Sequence, residues 1–453
     1  MTPPSAQQAA ALTAPINLVS ARPPWRATFS SLKVRNYRIF AAANLVAVIA
    51  LWMQRVAQDW LVLELSGSVT AVGITVFMQF APSLVLMPLG GLLADRYSKR
   101  RILIIAQSSA GVLAAVMAVL ALTGTIAVWH IYTIAFLLGL ATVLDQPARQ
   151  VFVNELVGPA QLRNAISLNS SIFQLGGMIG PAVSGVLMTA VGGGWAFAVN
   201  AVACTFTVVS LACLRRSELV KIAPGPRTKG QFREALAYVR RKPTIFWPTV
   251  MAAFFAVFGL SLAVLMAAYA DNVFHTGAAG YGLLNTLVAV GALCGALAST
   301  RVTVLRLRTV IGAAGAYGVV LALSSLAPSM ATFGAVMVVA GFVSLMFLTN
   351  ANQLVQTTTN VQIRGRVMSI YIMVLIGGQA LGGPLMGALA EHLGPQWAMV
   401  VAGAAPALAA VVIAVLLARR GELTLKVNLR SARHPVVIVR RSAKPPVLAG
   451  ADC

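Results

Sequence analysis

Residues 90–101 read Gly90-Gly91-Leu-Leu-Ala-Asp95-Arg96-Tyr-Ser-Lys99-Arg100-Arg101. They close an apolar run, Ala71 to Ala94, with one acid and then four cations within six residues. An apolar stretch of about 20 residues is long enough to cross a bilayer. Lys and Arg gather where such a stretch reaches the cytoplasm. The segment therefore reads as a membrane helix delivered to a charged inner face. Gly90 and Gly91 let a neighbouring helix come close, as small residues do between membrane helices. Asp95 stands at the edge of the hydrocarbon beside Arg96, which marks it as a fixed charge partner rather than a solvated acid.

The rest of the chain follows the same pattern. Its 453 residues are 58% hydrophobic and only 10% charged, with a mean hydropathy of +0.83. Soluble domains carry about 25% charged residues, so a soluble globular protein is excluded. The net charge of +23 does not signal nucleic acid, because the 34 Lys and Arg, Arg55 alone excepted, fall in separate groups. These are Arg22–Arg38, Arg96–Arg101, Arg149 with Arg163, Arg215–Lys242, Arg301–Arg308, Arg364 with Arg366, and Arg419–Lys444. Pairs of apolar runs separate them, and the turns inside the pairs (Gly124–Val128, Gly192–Trp195, Ala327–Met330) carry no Lys or Arg. All groups belong on one side, which the positive-inside rule makes cytoplasmic. No basic patch is interleaved with aromatics, so nucleic acid is not an expected partner. Cys204, Cys213, Cys294 and Cys453 fit neither a zinc spacing nor a disulfide framework.

Residues 1–38 are expected to form a cytoplasmic tail with an interfacial helix over Trp25–Arg38, without a cleavable signal peptide. Six spans follow within 39–214: Ile39–Leu63, Ala71–Ala94, Ile102–Thr123, Trp129–Gln146 (stopped by Pro147), Ala165–Val191 and Ala196–Leu214. A cytoplasmic linker, 215–244, holds nine basic residues, and Phe232, Leu236 and Val239 recur in it at helical spacing. Six more spans fill 245–418, and 419–453 reads as a basic, disordered cytoplasmic tail. Gln150, Arg163 and Pro181 recur 203 positions on as Gln353, Arg366 and Pro384, the trace of an internal repeat. The fold class is thus all-α membrane protein, twelve transmembrane helices in two six-helix pseudo-symmetric bundles, inserted in the inner (plasma) membrane with both termini cytoplasmic.

Gly91-x-x-x-Asp95-Arg96-x-x-x-Arg100-Arg101 resembles the loop signature between helices two and three of the major facilitator superfamily of secondary transporters. It departs once, with Ser98 where the family has a glycine. Asp145-x-Pro147-Ala-Arg149-Gln150, Glu155-Leu-Val157, Asn164-Ala165 and Leu168-Asn169-Ser170 resemble the enterobactin-exporter-like, third drug-antiporter branch, as do Asn36-Tyr37-Arg38 and Trp60-Leu-Val-Leu-Glu64. Gly176, Gly180, Pro181 and Gly185 resemble the helix-five packing motif of its antiporters. The resemblance implies that Gly91, Asp95, Arg96, Arg100 and Arg101 lock a cytoplasmic gate, with Asp145 and Arg149 in the relay. It pairs Asp145 with Arg96 or Arg100, and Asp95 with the opposite half of the molecule.

Arg55 and Asp59 are oppositely charged residues one turn apart inside the first span. They read as an interfacial pair, or functionally as a proton site at Asp59 or an anion contact at Arg55. Gln54, Gln58 and Gln79 would line the same outer half, and Ser167, Ser170, Ser171, Gln174, Asn285, Thr286 and Gln379 are further cavity candidates. No nucleophile–base set, metal-ligand set or G-x-x-x-x-G-K-[ST] loop occurs, so the expectation is a non-enzyme without cofactor or metal, driven by a proton gradient. It would be a monomeric efflux antiporter of the cell membrane, exporting small amphipathic drugs or siderophore-like molecules and conferring drug resistance. The alternatives are proton-coupled uptake, or a non-transporting receptor or lipid-translocating protein on the same fold.

Overall fold

The computed structural model describes residues 30–220, 231–299, 306–360, 363–420, 423–427 and 436–440. Among them are twelve helices long and apolar enough to cross a membrane. The first bundle comprises α1 (Arg35–Ser66), α2 (Val69–Arg96), α3 (Lys99–Leu122), α4 (Val128–Gly158), α5 (Asn164–Val191) and α6 (Gly194–Ala212). After the short surface helix α7 (Gln231–Arg241), the second bundle comprises α8 (Pro243–Val273), α9 (Gly277–Ser299), α10 (Leu307–Ser324), α11 (Met330–Thr358), α12 (Arg364–Leu393) and α13 (Pro395–Arg420).

The turn between α1 and α2 shows how tightly the spans are joined. Gly67 adopts φ 62°, a left-handed conformation that ends α1 with its N–H on the Leu63 carbonyl. Ser68 then caps α2, its hydroxyl accepting from the Ala71 N–H at 3.2 Å. At the opposite membrane face, Ser98 precedes α3 with φ −61°, so the signature loop needs no glycine there.

The two bundles repeat one packing scheme. In the first, α1 packs on α5, α2 on α4, and α3 on α6; in the second, α8 packs on α12, α9 on α11, and α10 on α13. The halves meet along α2–α12 and α5–α9, two seams related by the same exchange. One face of the molecule carries the start of α1 and the end of α6, and is called the basic face below; the other is the far face. On the basic face the Asn36 side chain donates to the Arg215 carbonyl (3.0 Å) and accepts from its N–H (3.1 Å). Tyr37 donates to the Ala165 carbonyl at 2.9 Å. The Asn36-Tyr37 motif thus ties α1 to the end of α6 and the start of α5. Helix α7 docks on the second bundle, with Arg366 paired to Glu234 at 3.0 Å and Lys242 donating to the Thr358 carbonyl at 2.6 Å.

Several boundaries differ from expectation. Arg35–Arg38 form the first turn of α1 rather than part of a surface helix; residues 25–29 lie outside the described residues. Pro147 does not stop α4, which runs on to Gly158, where φ 68° and ψ 176° break the helix. A proline removes the hydrogen bond to the carbonyl four residues back, here Val143, and Gly90 of α2 presses its Cα against that carbonyl. Such a Cα–H contact partly replaces the lost bond. The seventh span, α8, contains two π turns, Phe255–Gly259 and Tyr269–Val273, and the Tyr317 hydroxyl donates to the Gly259 carbonyl at 3.0 Å. In the tail expected to be disordered, Leu423–Val427 and Val436–Arg440 pair as antiparallel strands. Both segments are rich in aliphatic, largely β-branched residues, which suit a pleated strand. The Phe232 side chain lies outside the described residues.

Candidate functional site

On the basic face the signature segment is built differently from its reading. Of the two glycines, Gly90 makes the close helix contact, whereas a side chain at Gly91 would meet nothing within 4 Å. Arg96 and Arg101 are exposed, and the Asp95 side chain lies outside the described residues. Arg100 is buried, with Nε and Nη2 each 2.6 Å from the carbonyl oxygens of Leu211 and Ala212. A cation there meets the partial negative charge at the end of α6.

Asp145 therefore pairs with neither Arg96 nor Arg100 in this structure. Arg149, one turn on, grips it with a fork: Nε to Oδ2 at 2.8 Å and Nη2 to Oδ1 at 2.8 Å. A bidentate guanidinium–carboxylate bond is the stronger local option, and the α-helix stays regular enough through Pro147 to present both groups on one side. Gln107 of α3 donates to Asp145 at 2.9 Å, and Arg149 reaches Asn44 of α1 at 2.6 Å. Asn44 in turn donates to Asn169 of α5 at 2.7 Å. One acid thereby joins α1, α3, α4 and α5.

The far face holds the halves together. Glu391 of α12 accepts from the Ser68 hydroxyl at 2.7 Å and from the Thr70 N–H at 3.0 Å. It therefore caps α2 from the opposite bundle, where a carboxylate suits the helix N-terminus. Tyr281 of α9 donates to Asp59 of α1 at 3.1 Å and stacks on Trp60, centroids 6.0 Å apart. Among the described residues these are the hydrogen bonds that join the halves, and all lie toward the far face. Backbone contact completes the seal: Gly73 of α2 meets Gly383 and Pro384 of α12, and Gly185 of α5 meets Gly282 of α9. The helix-five motif is thus divided. Gly176 and Gly180 pack on Val48 and Trp52 of α1 within one bundle, while Pro181 and Gly185 reach the other.

Deeper in the first bundle, Arg55 and Asp59 do not form an ion pair. Asp59 is taken by Tyr281, and the Arg55 guanidinium lies 5.4 Å from the Trp52 ring centroid and 5.6 Å from that of Phe80. Gln54 is fully buried against Asn200, a structural contact rather than a cavity wall. Gln79, Gln174 and Gln379 are half-buried and make no side-chain hydrogen bond among the described residues. Ser170, Ser171, Asn285 and Thr286 bond to carbonyls of their own helices. Sequence reasoning missed Tyr281, Glu391, Asn44 and Gln107. Glu391 alone left a signal, as an acid at a span end in a chain with only 11 Asp and Glu.

Paired six-helix bundles that repeat one packing scheme and meet at their far ends are the architecture of a membrane transporter of the major facilitator class, not of an enzyme. The chain belongs to the transmembrane secretion effector family of that superfamily, whose pattern it matches over residues 26–443. It is similar to the staphyloferrin A transporter of Staphylococcus aureus, 26% identical over 373 residues covering 79% of this chain and 90% of that protein. The enterobactin exporter EntS of Citrobacter koseri is 25% identical, covering 84% of this chain and 92% of its own. Among solved structures, a bacterial homologue of the human lysosomal transporter Spinster, inward-facing and unoccupied, matches with TM-score 0.64 at 16% identity over 85% of this chain and 95% of that one. The nucleoside transporter NupG matches with TM-score 0.66 at 11% identity, over 84% and 99%. These two share the fold.

Proposed function

We propose that this multi-pass transporter exports small amphipathic molecules, drugs or siderophore-like compounds, in exchange for protons. The basic face and both termini lie in the cytoplasm, in the inner (plasma) membrane. The observation that supports the reading is the far-face seal: among the described residues, the hydrogen bonds of Glu391 and Tyr281 and the Gly185–Gly282 contact join the halves there. A solute then enters from the basic face and leaves when the halves rock to the other arrangement. Asp145 is the coupling acid, since a proton there would release Arg149 and loosen four helices together. Gly91, Asp95, Arg96, Arg100 and Arg101 form the gate that closes on the basic face in the second arrangement. The names of the staphyloferrin A transporter and the enterobactin exporter support a siderophore-like cargo.

The test uses inside-out membrane vesicles and enterobactin as probe. An acid-inside gradient is expected to drive accumulation that a protonophore abolishes. Accumulation that ignores the gradient would remove the antiport reading, and movement only in the opposite direction would make the protein an importer.

A further inference from the structure

Arg55 is a cation held inside the membrane that forms no ion pair among the described residues, Asp59 acting on it only through space. Its helix, α1, begins at Arg35 and ends at Ser66, which at about 1.5 Å per residue sets Arg55 roughly 16 Å in from the far end. Trp52 and Phe80 lie against the guanidinium, and Phe173 of α5 packs edge-on to Trp52 with centroids 5.6 Å apart. Gly177 faces the Trp52 indole, where an added Cβ would stand in van der Waals contact at 3.6 Å. Two donors here are buried without any acceptor: Arg55 Nε and Trp52 Nε1. Buried donors are nearly always satisfied, so these two, with the equally unpartnered Gln58 Oε1 one turn on, leave a polar position for a partner from outside the chain. Aromatic rings hold a guanidinium by its faces and leave its N–H edge for a planar anion.

Asp59, four residues on, is the natural partner of Arg55 on a helix. It is withheld, because the Tyr281 hydroxyl of the other bundle donates to it at 3.1 Å. The geometry points to Arg55, with Trp52 and Phe80, as a recognition site for an aromatic carboxylate, and to Asp59 as the built-in competitor that expels it. While the far face is sealed, Tyr281 occupies Asp59 and Arg55 is open to the anion. When the halves part there, Tyr281 departs with α9, and Asp59 turns one helical step to Arg55 and displaces the anion toward the open side. The exchange is reciprocal: an anion on Arg55 favours the state that keeps Asp59 on Tyr281. Outward movement of an anion is also downhill in a membrane potential negative inside. This inference rests on the transport reading above and names its substrate class.

The test measures binding of cinnamate and its neutral isostere cinnamamide to the full-length protein in lipid nanodiscs. Wild type is expected to bind cinnamate about tenfold more tightly than cinnamamide, and Arg55→Gln to bind the two alike. Tyr281→Phe frees Asp59 in both states and also removes one bond of the far-face seal, so the ratio of cinnamate to cinnamamide affinity, to which the seal contributes equally, should fall about threefold. Adding Asp59→Asn to Tyr281→Phe should restore the preference for cinnamate over cinnamamide, an outcome a misfolded variant could not give. Equal binding of the two ligands by wild type, a preference retained in Arg55→Gln, or no rescue in the double variant would overturn the proposal. Enterobactin accumulation that persists in vesicles without any carboxylate preference sinks this site alone; a carboxylate preference without transport sinks the export reading alone.

Discussion

Gly282→Ala should shift the resting equilibrium away from the sealed far face. A Cβ at Gly282 would stand 2.7 Å from the Pro181 carbonyl oxygen, 2.8 Å from the Gly185 Cα and 3.0 Å from the Gly185 nitrogen. All three are main-chain atoms of α5, so no rotamer change can make room. Ordinary contact begins near 3.4 Å, and α5 and α9 would have to separate by the difference, about 0.7 Å. Overpacking of this kind costs about 1–3 kcal/mol. The contact joins the two bundles, so the cost falls on the sealed arrangement and not on one in which they part there. A penalty of about 2 kcal/mol changes the ratio of the two roughly 30-fold. Spin labels at Leu65→Cys and Leu393→Cys, exposed sites at the far ends of α1 and α12, report the separation in a background without the native cysteines. The wild-type distribution should be mostly short and that of Gly282→Ala mostly long. Gly312→Ala, whose added Cβ meets nothing within 4 Å, should leave it unchanged. An unaltered distribution in Gly282→Ala would refute the idea that backbone contact between α5 and α9 seals this face.

Glu391→Gln weakens the cap on α2 from the opposite bundle; the site is exposed, so a shift of about twofold toward the open far face is expected in the same spin-label assay, smaller in high salt. Asp145→Asn strands Arg149, and a buried pair broken from one side costs about 3 kcal/mol; the thermal midpoint should fall, and Asp145→Asn with Arg149→Gln should recover most of it. Asn36→Ala removes both bonds to Arg215 and should lower stability by about 1–2 kcal/mol, read as a lower thermal midpoint in detergent. Gly90→Ala should reduce the yield of folded protein through the clash with the Val143 carbonyl, while Gly91→Ala should leave it intact.

The spans were legible because hydropathy and charge both act locally. A run such as Ala71–Ala94 has few ways to be satisfied outside a bilayer, and Arg96–Arg101 fixes which end stays out of it. The helix ends were less legible. Pro147 reads as a stop when the fate of the Val143 carbonyl is unknown, and that fate is decided by Gly90 on another helix. The i, i+4 pair Asp145–Arg149 is visible in sequence, but its strength against Arg100 depends on the carbonyl end of α6 lying beside α3. Contacts between the bundles were least legible. Tyr281 stands in an apolar helix and Glu391 at a span end, and each acquires meaning only from a partner 222 or 323 positions away. The same distance separates the reading of Arg55–Asp59 as a pair from the structure, in which Tyr281 divides them.

The measurement closest to the central claim is the sign of accumulation in intact cells. In an efflux-deficient host supplied with fluorescent amphipathic carboxylates, expression of this protein should lower the intracellular level. The fall should disappear when the proton gradient is collapsed. A level that rises on expression would contradict export through a pocket loaded from the basic face.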